Sequence, residues 1–398
     1  MNTVPIELPV KPSEAAALAD LIFQYLEKHP LNDEARNRLN GRLPSLELSS
    51  IVPYIGSLQK DPIHASSYYI AVDASSLDGS KPLLLHMTLA SSPASSQFSE
   101  PLLIGRMRPG GGREIVVNAI PFSSTDSKNL HTFSEHIDRA FLPRPQGSQP
   151  AITVDGGPPE VTLPAAFDAF RTIGKRFGVN MASIAPGDMG AGLWAAIRAG
   201  WRDGYSAGTS PIVAGATLDA AKAAIERNAG FTRFALDASG LIGQAPAPAI
   251  PDELQQPHLV AKFGRSLQAQ EELYDFIQSI KSQQNSWKYF DFEVSMGTPP
   301  TPEEMGFCLN WLKTRGRPAQ IIGPFGNSEN LSELAAVARQ HNCILSIRST
   351  GDEKESDLQA IGQATGGRVH YRVSAERLGA GRAEITRYLI WLAENLRP

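Results

Sequence analysis

The pattern of apolar and polar positions changes character once along the 398 residues. Near the start, Ala17, Leu18, Leu21, Ile22 and Leu26 form one stripe at helical spacing between Ser13 and His29, and Pro30 stops it. Short β-rich runs follow: SYYIAVD from Ser67, LLLHMTLA from Leu83, PLLIGRM from Pro101 and REIVVNAI from Arg113, joined by turn-forming segments such as SLDGSKP and RPGGGR. Strand after strand without intervening helices predicts an antiparallel sheet with the N-terminal helix against one face. RPGGGR lies between two strands, with no helix after it and no Lys-Ser/Thr pair, so a hairpin turn is expected there rather than a phosphate loop. A helix over roughly 131–141 then gives way to LPRPQGSQP, whose Pro, Gly, Ser and Gln mark a domain boundary between residues 146 and 147.

Beyond residue 147 strands and helices alternate. AITVD (Ala151), MASIA (Met181), PIVA (Pro211), TRFALD (Thr232), FDFEVS (Phe290), AQIIG (Ala319), ILSIR (Ile344) and RVHYRV (Arg368) are each followed by a helical pattern. The helices have legible ends. Thr217 and Gly230 bracket TLDAAKAAIERNAG; Thr301, Pro302, Glu304 and Gly316 supply N-cap, first position, capping box and terminator of TPEEMGFCLNWLKTRG. Eight alternations over about 250 residues have the size of a (β/α)8 barrel. An open doubly wound sheet is the alternative, but no strand leads into a GxGxxG turn. The fold class is therefore α/β: a TIM-type barrel over 147–398 behind a smaller N-terminal α+β domain over 1–146.

One stretch sets the chemistry. In YFDFEVSMGTPP (Tyr289 to Pro300), Asp291, Glu293 and Ser295 alternate with Phe290, Phe292 and Val294, which places three polar side chains on one face of an apolar strand. Either the strand is an edge with its polar face in water, or the three line a functional mouth, since burying them without partners is costly.

Composition narrows the partners. At 42% hydrophobic and 20% charged residues the chain is an ordinary globular one, and a formal net charge of −4 gives no basic surface for nucleic acid or an anionic membrane. The cysteines, Cys308 and Cys343, lack metal-ligand spacing and read as buried free thiols in a reducing compartment. The start MNTVPIELPVKPSEAA has no basic-then-apolar pattern of a signal peptide, and no apolar run could span a bilayer, so a cytoplasmic protein is expected.

In a barrel, the chemistry lies at the C-terminal strand ends. The residues there are Asp155, Asp188, Asp237, Glu293 with Ser295, Arg348 and Arg372, with His370 one layer deeper. Arg348 and Arg372 lie on successive strands, where two guanidinium forks suit a carboxylate or phosphate. Gly366 and Gly367 in ATGGR either bring backbone amides to the same anion or cap a helix. Asp237 and Asp188 have turn formation as their bland alternative, and His370 that of a core histidine bonded to a backbone carbonyl.

Five blocks carry a family likeness: GWRDGYSAG (Gly200 to Gly208), GFTRFALDAS (Gly230 to Ser239), FDFEVS, ILSIRSTGDEK (Ile344 to Lys354) and ATGGRVHYR (Ala364 to Arg372). Over roughly 179–373 the chain resembles the tagaturonate epimerase family, metal-dependent enzymes that invert a hydroxyl-bearing carbon of keto-uronates. The resemblance implies acid/base work for Asp237, with Glu293 and His370 in a metal and substrate site and a divalent cation as cofactor. It also shows departures: Arg348 stands in place of a histidine, Gly240 of an aspartate, Met296 and Gly297 of acidic residues, and Arg372 of a lysine. Arginine in place of a histidine ligand removes a lone pair and adds fixed positive charge, which weakens cation binding.

The expected function is thus a carbohydrate epimerase or isomerase on a keto-sugar acid, with Asp237 or Glu293 as base and Arg348, Arg372, Gly366, Gly367 and Asp188 around a small anionic sugar. The rival is a non-catalytic sugar-acid-binding relative, and a phosphosugar barrel is a third reading. The N-terminal domain is left as a cover or a dimer contact, so a homo-oligomer is among the expectations.

Overall fold

The computed structural model describes residues 8–76, 79–91, 97–108, 112–174, 177–182, 189–246, 256–284, 289–326, 329–374 and 381–397. Two compact units divide the chain, residues 1–142 with 190–203 and residues 143–189 with 204–398.

The first unit holds α1 (Pro12–Leu26), α2 (Asp33–Asn40), β1 (Ile51–Pro53), β2 (Gln59–Lys60), β3 (Ser67–Ser76), β4 (Gly79–Leu89), β5 (Leu102–Met107), β6 (Ile115–Pro121) and α3 (Lys128–Thr132). The sheet is antiparallel in the order β1-β3-β4-β6-β5, with β2 also on β3. The four expected strands are all present, and β5 and β6 pair as the hairpin reading of RPGGGR requires, although residues 109–111 lie outside the described ones. Period-two alternation gives the sheet two apolar faces. Ile70, Val72, Leu85, Met87 and Val117 pack with Leu18, Ala19 and Ile22 of α1 in one core. On the other face Tyr69 meets Phe98 and Phe133, at ring-centroid distances of 5.4 and 6.4 Å. The helix expected over 131–141 is broken into α3, a π turn over Phe133–Ile137 and a 3-10 turn over Arg139–Phe141.

The rest of the chain runs β7 (Ala151–Asp155), α4 (Pro159–Ile173), β8 (Gly178–Ala182), α5 (Met189–Ala199), β9 (Ser206–Ala207), β10 (Ile212–Val213), α6 (Asp219–Arg227), β11 (Arg233–Asp237), α7 (Pro257–Ser282), β12 (Asp291–Ser295), α8 (Pro302–Thr314), β13 (Ile321–Phe325), α9 (Leu331–Gln340), β14 (Ile344–Arg348), α10 (Glu355–Thr365), β15 (Val369–Ser374) and α11 (Arg382–Asn395), all but α5 in the second unit. The described strands form one parallel sheet ordered β10-β11-β12-β13-β14-β15-β7-β8-β9. It closes on itself: Gly208, next after β9, bridges Arg233 of β11, and Thr232 N–H donates to Ala207 O at 3.0 Å. β9 and β10 are therefore two pieces of one strand, and the sheet is the expected eight-staved barrel. The break has a local cause. Pro211 has no N–H to donate, and side-chain hydroxyls replace ladder carbonyls, Thr232 Oγ1 accepting from Ala207 N at 3.0 Å and Thr209 Oγ1 from Ala235 N at 3.2 Å.

Helix ends follow the sequence where caps are strong. At α8 the Thr301 hydroxyl accepts from Glu304 N at 3.2 Å and Glu304 Oε2 accepts from Thr301 N at 3.0 Å, a capping box of about 1 kcal/mol. α6 begins at Asp219, one residue later than an N-cap at Thr217 suggests, and has no side-chain cap. No described helix is long and apolar enough to cross a membrane.

The expectation of a single boundary at 146/147 misses one excursion. α5 follows a barrel strand, yet residues 190–203 belong to the first unit. Its sequence MGAGLWAAIRA is apolar nearly all round, so periodicity alone cannot choose its partner. Trp194 meets Tyr54 and Phe122 edge-on, with centroids 5.8 and 5.7 Å away, and Arg202 Nε donates to Asp138 at 2.9 Å. At the helix end Gly200 takes φ +63°, and a Cβ there would lie 2.6 Å from Gly56 Cα. Gly200→Ala is therefore expected to combine left-handed strain with a backbone clash, costing about 2–4 kcal/mol. Amide exchange by mass spectrometry checks this: residues 190–199 should lose protection while α8–α10 keep theirs.

Candidate active site

β12 lies between β11 and β13, with Ala235 opposite Glu293 and Glu293 opposite Ile321, so it is no edge strand. Glu293 is 1% exposed. Its partners are two arginines on different staves. Arg233 Nε donates to Oε2 at 2.8 Å, joined by Nη2, and Arg372 Nη1 donates to Oε1 at 2.8 Å. Since β13 and β14 separate β12 from β15, the Glu293–Arg372 bond must cross the barrel interior. Arg372 Nη2 continues to Asp155 Oδ2 at 3.0 Å, and Arg233 Nη1 to Thr153 Oγ1 at 3.2 Å, both on β7. Two guanidiniums and two carboxylates thus form one network in the lumen, and both arginines are 1% exposed.

Above it, a cavity of about 220 Å³ is lined by Asp237, Glu293, Ser295, Arg348 and Arg372 together with Gly323 and Pro324. Asp237, Ser295 and Arg348 are the last residues of their strands, so the cavity opens at the C-terminal end of the barrel. Arg348 is exposed and, among the described residues, makes no hydrogen bond or ion pair. It stands opposite Arg372 in the register of β14 and β15. Asp237 is half-buried; its Oδ1 accepts from Ser239 N at 3.0 Å, so it forms the turn and lines the cavity at once. A larger cavity of about 420 Å³ lies in the first unit against Phe23, Tyr68, Leu89 and Ile115, and none of the buried ionic network borders it.

Burial and charge compete at each ionisable group. Burial pushes the Glu293 carboxyl up, but the guanidiniums of Arg233 and Arg372 outweigh it and hold it below the ordinary glutamate range. Glu293 is thus an ionised anchor with both oxygens engaged, a poor proton acceptor. Asp291, one turn of the pleat deeper, accepts from Gln146 N at 2.7 Å and Gly147 N at 2.9 Å, yet burial still raises its pKa.

The structure separates other expected site residues from this cavity. His370 is fully buried, with Nε2 2.7 Å from the carbonyl of Gln149, which precedes β7; it sits toward the N-terminal end as a core histidine. Burial, aided by Arg233, lowers its pKa to about 3, so it is neutral. Gly366 and Gly367, at φ +62° and +68°, terminate α10 through Gly367 N to Gly362 O at 2.8 Å, ahead of β15 and away from its C-terminal rim. That is helix capping, and neither borders the cavity. Asp188 lies outside the described residues.

A cation site on Glu293 and His370 does not fit these residues. Both Glu293 oxygens are taken by guanidinium donors, the His370 Nε2 faces a carbonyl, and fixed positive charge surrounds the carboxylate. Among the described residues no three His, Cys, Asp or Glu side chains gather as a cation would require. Arg233 is the member of the buried network that motif reading misses. It was findable, because it shares the face of β11 with Asp237 at period two and stands opposite Asp291.

No known protein-family model and no curated protein sequence matches the chain. Among solved structures it is similar to the fructuronate-tagaturonate epimerase UxaE from Cohnella laeviribosi in complex with one glycerol, at 16% identity and a TM-score of 0.56, over 86% of this chain and 75% of that one. The complex of the same enzyme with two glycerols gives 16% identity and a TM-score of 0.57, over 85% and 74%. At this identity the likeness is one of fold, and it agrees with the barrel and antiparallel sheet found here.

The buried histidine gives a pH prediction. An unfolded histidine takes up a proton near pH 6.5 that His370 refuses down to about 3, so acid favours unfolding across that window and the effect vanishes above it. Between pH 7 and pH 5 the parent should lose about 2 kcal/mol more than His370→Gln, which keeps an N–H donor for Gln149 O. Urea midpoints of the two proteins at both pH values check it.

Proposed function

We propose that the protein is a sugar-acid epimerase or isomerase acting on a keto-uronate of the tagaturonate or fructuronate kind. The observation that carries this reading is a rim where, among the described residues, an unpaired guanidinium, Arg348, and a carboxylate with one oxygen spare, Asp237, face a common cavity floored by the Arg372–Glu293 pair. An open cation suits the substrate carboxylate, and Asp237, with a carboxylate oxygen toward the cavity, is placed to accept a proton. The fold likeness to a fructuronate-tagaturonate epimerase supports the same substrate class.

In this mechanism Arg348 holds the carboxylate and fixes the sugar in the cavity. Asp237 then removes a proton, either from the carbon beside the ketone, leaving an enolate, or from a hydroxyl, with carbon–carbon cleavage and re-addition. In both routes negative charge develops on the carbonyl oxygen, and the guanidinium wall of Arg372 and Arg348 stabilises it. Return of the proton after the enolate has turned its other face to Asp237 inverts the carbon beside the ketone; re-addition of the rotated aldehyde inverts the carbon one further away, the centre at which tagaturonate and fructuronate differ. Glu293 does not exchange protons here; it holds Arg372 in place.

A second reading, a sugar-acid-binding protein without turnover, is favoured by one observation: the buried Glu293 carboxylate is locked between two arginines. Asp237→Asn separates the two. For an enzyme it should lower epimerisation of D-tagaturonate or D-fructuronate, followed by NMR, at least 100-fold while leaving the dissociation constant within a few-fold. Arg348→Ala should weaken binding of the same sugars 10- to 100-fold. Absence of any turnover or proton exchange in the parent, with tight binding retained, establishes the binding protein instead.

A further inference from the structure

The charge at the cavity floor depends on a residue that does not border the cavity. Arg372 has two anionic neighbours, Asp155 on Nη2 and Glu293 on Nη1. Left to themselves, two carboxylates against one guanidinium would give the floor an excess negative charge. Arg233 prevents this by taking Glu293 Oε2 with both Nε and Nη2 while Thr153 steadies its remaining nitrogen. It also holds the Glu293 carboxylate on the β11 side, so that only one oxygen reaches Arg372 and, among the described residues, the Arg372 Nε–H stays without a partner. A carboxylate freed from Arg233 would be drawn into the bidentate pairing that guanidiniums favour, spending that donor as well.

We infer that Arg233 is a positioning residue that sets the charge of the cavity floor, keeping Arg372 available to an anionic ligand by neutralising Glu293 from behind. The inference rests on the anionic-substrate reading above for its ligand class. It follows from geometry that the effect is electrostatic, acts on the ligand's charge and passes through Glu293. The cost of losing the bracket should therefore be reversible at Glu293 itself.

The test measures, by calorimetry, the affinity of the full-length protein for D-glucuronate, for inorganic sulfate and for neutral D-glucose. Four proteins are compared: the parent, Arg233→Met, Glu293→Gln and the double variant, each checked for a cooperative melt. Arg233→Met should weaken both anions at least 10-fold and leave glucose unchanged relative to the parent. Glu293→Gln should bind the anions at least as tightly as the parent, and the double variant should recover to within about 3-fold of the parent. A merely structural role predicts instead that glucose and the anions fall together and that the double variant is the worst of the four; that result, or a folded Arg233→Met with unaltered anion affinity, overturns the inference. If Arg233→Met does not fold, the comparison of Glu293→Gln with the parent still decides: anion binding weakened by removal of that negative charge overturns it. If sulfate follows the expected pattern while D-glucuronate binds to none of the four, the sugar-acid reading fails and the role of Arg233 stands. A parent that binds neither anion overturns both.

Discussion

The interior of this barrel depends on one bracketed carboxylate. Glu293 is almost wholly buried, and an uncompensated charge at such a place would be prohibitive. Two guanidiniums meet both of its oxygens, and the chain of bonds continues to Asp155 and Thr153, so staves from opposite sides of the lumen are tied together by charge. Breaking such a set from one side leaves a stranded ion, at a cost of about 3–5 kcal/mol. A hydrophobic core of equal volume could be as stable. The ionic interior instead gives the cavity above it a floor of defined charge.

That floor explains the division of labour at the rim. Glu293 is spent on Arg233 and Arg372 and held ionised, so it can neither ligate a cation nor accept a proton with ease. Arg348 and Asp237 differ from it in having capacity left over. β11 shows the division on one strand: Arg233 at its start is spent on Glu293, while Asp237 at its end lines the cavity. In this arrangement positive charge is supplied by arginine side chains that remain charged at any working pH.

The first unit obeys a different constraint. Its sheet has an apolar residue set on both faces, and α1 covers only one. The aromatic group of Phe122, Phe133 and Trp194 belongs to the other, and Trp194 arrives on α5 from within the barrel's own stretch of sequence. Satisfying a two-faced sheet thus interrupts the βα repeat between β8 and β9, at the part of the barrel where the strands are shortest.

The sequence by itself determined the elements that local chemistry dictates: the antiparallel runs, the capped helix at Thr301, the eight strand–helix repeats and the polar face of Asp291, Glu293 and Ser295. It also placed Asp237, Glu293, Arg348 and Arg372 on one rim, because period two and the barrel's polarity follow from backbone geometry. Only the tertiary structure decided what each of them does. Whether a carboxylate is a base, a ligand or an anchor depends on which charges face it across the lumen, and Arg233, Arg372 and Asp155 come together with Glu293 from positions far apart in the chain. For the same reason His370 and the Gly366–Gly367 pair proved to be core and cap: their neighbours, Gln149 and the end of α10, are set by packing rather than by spacing.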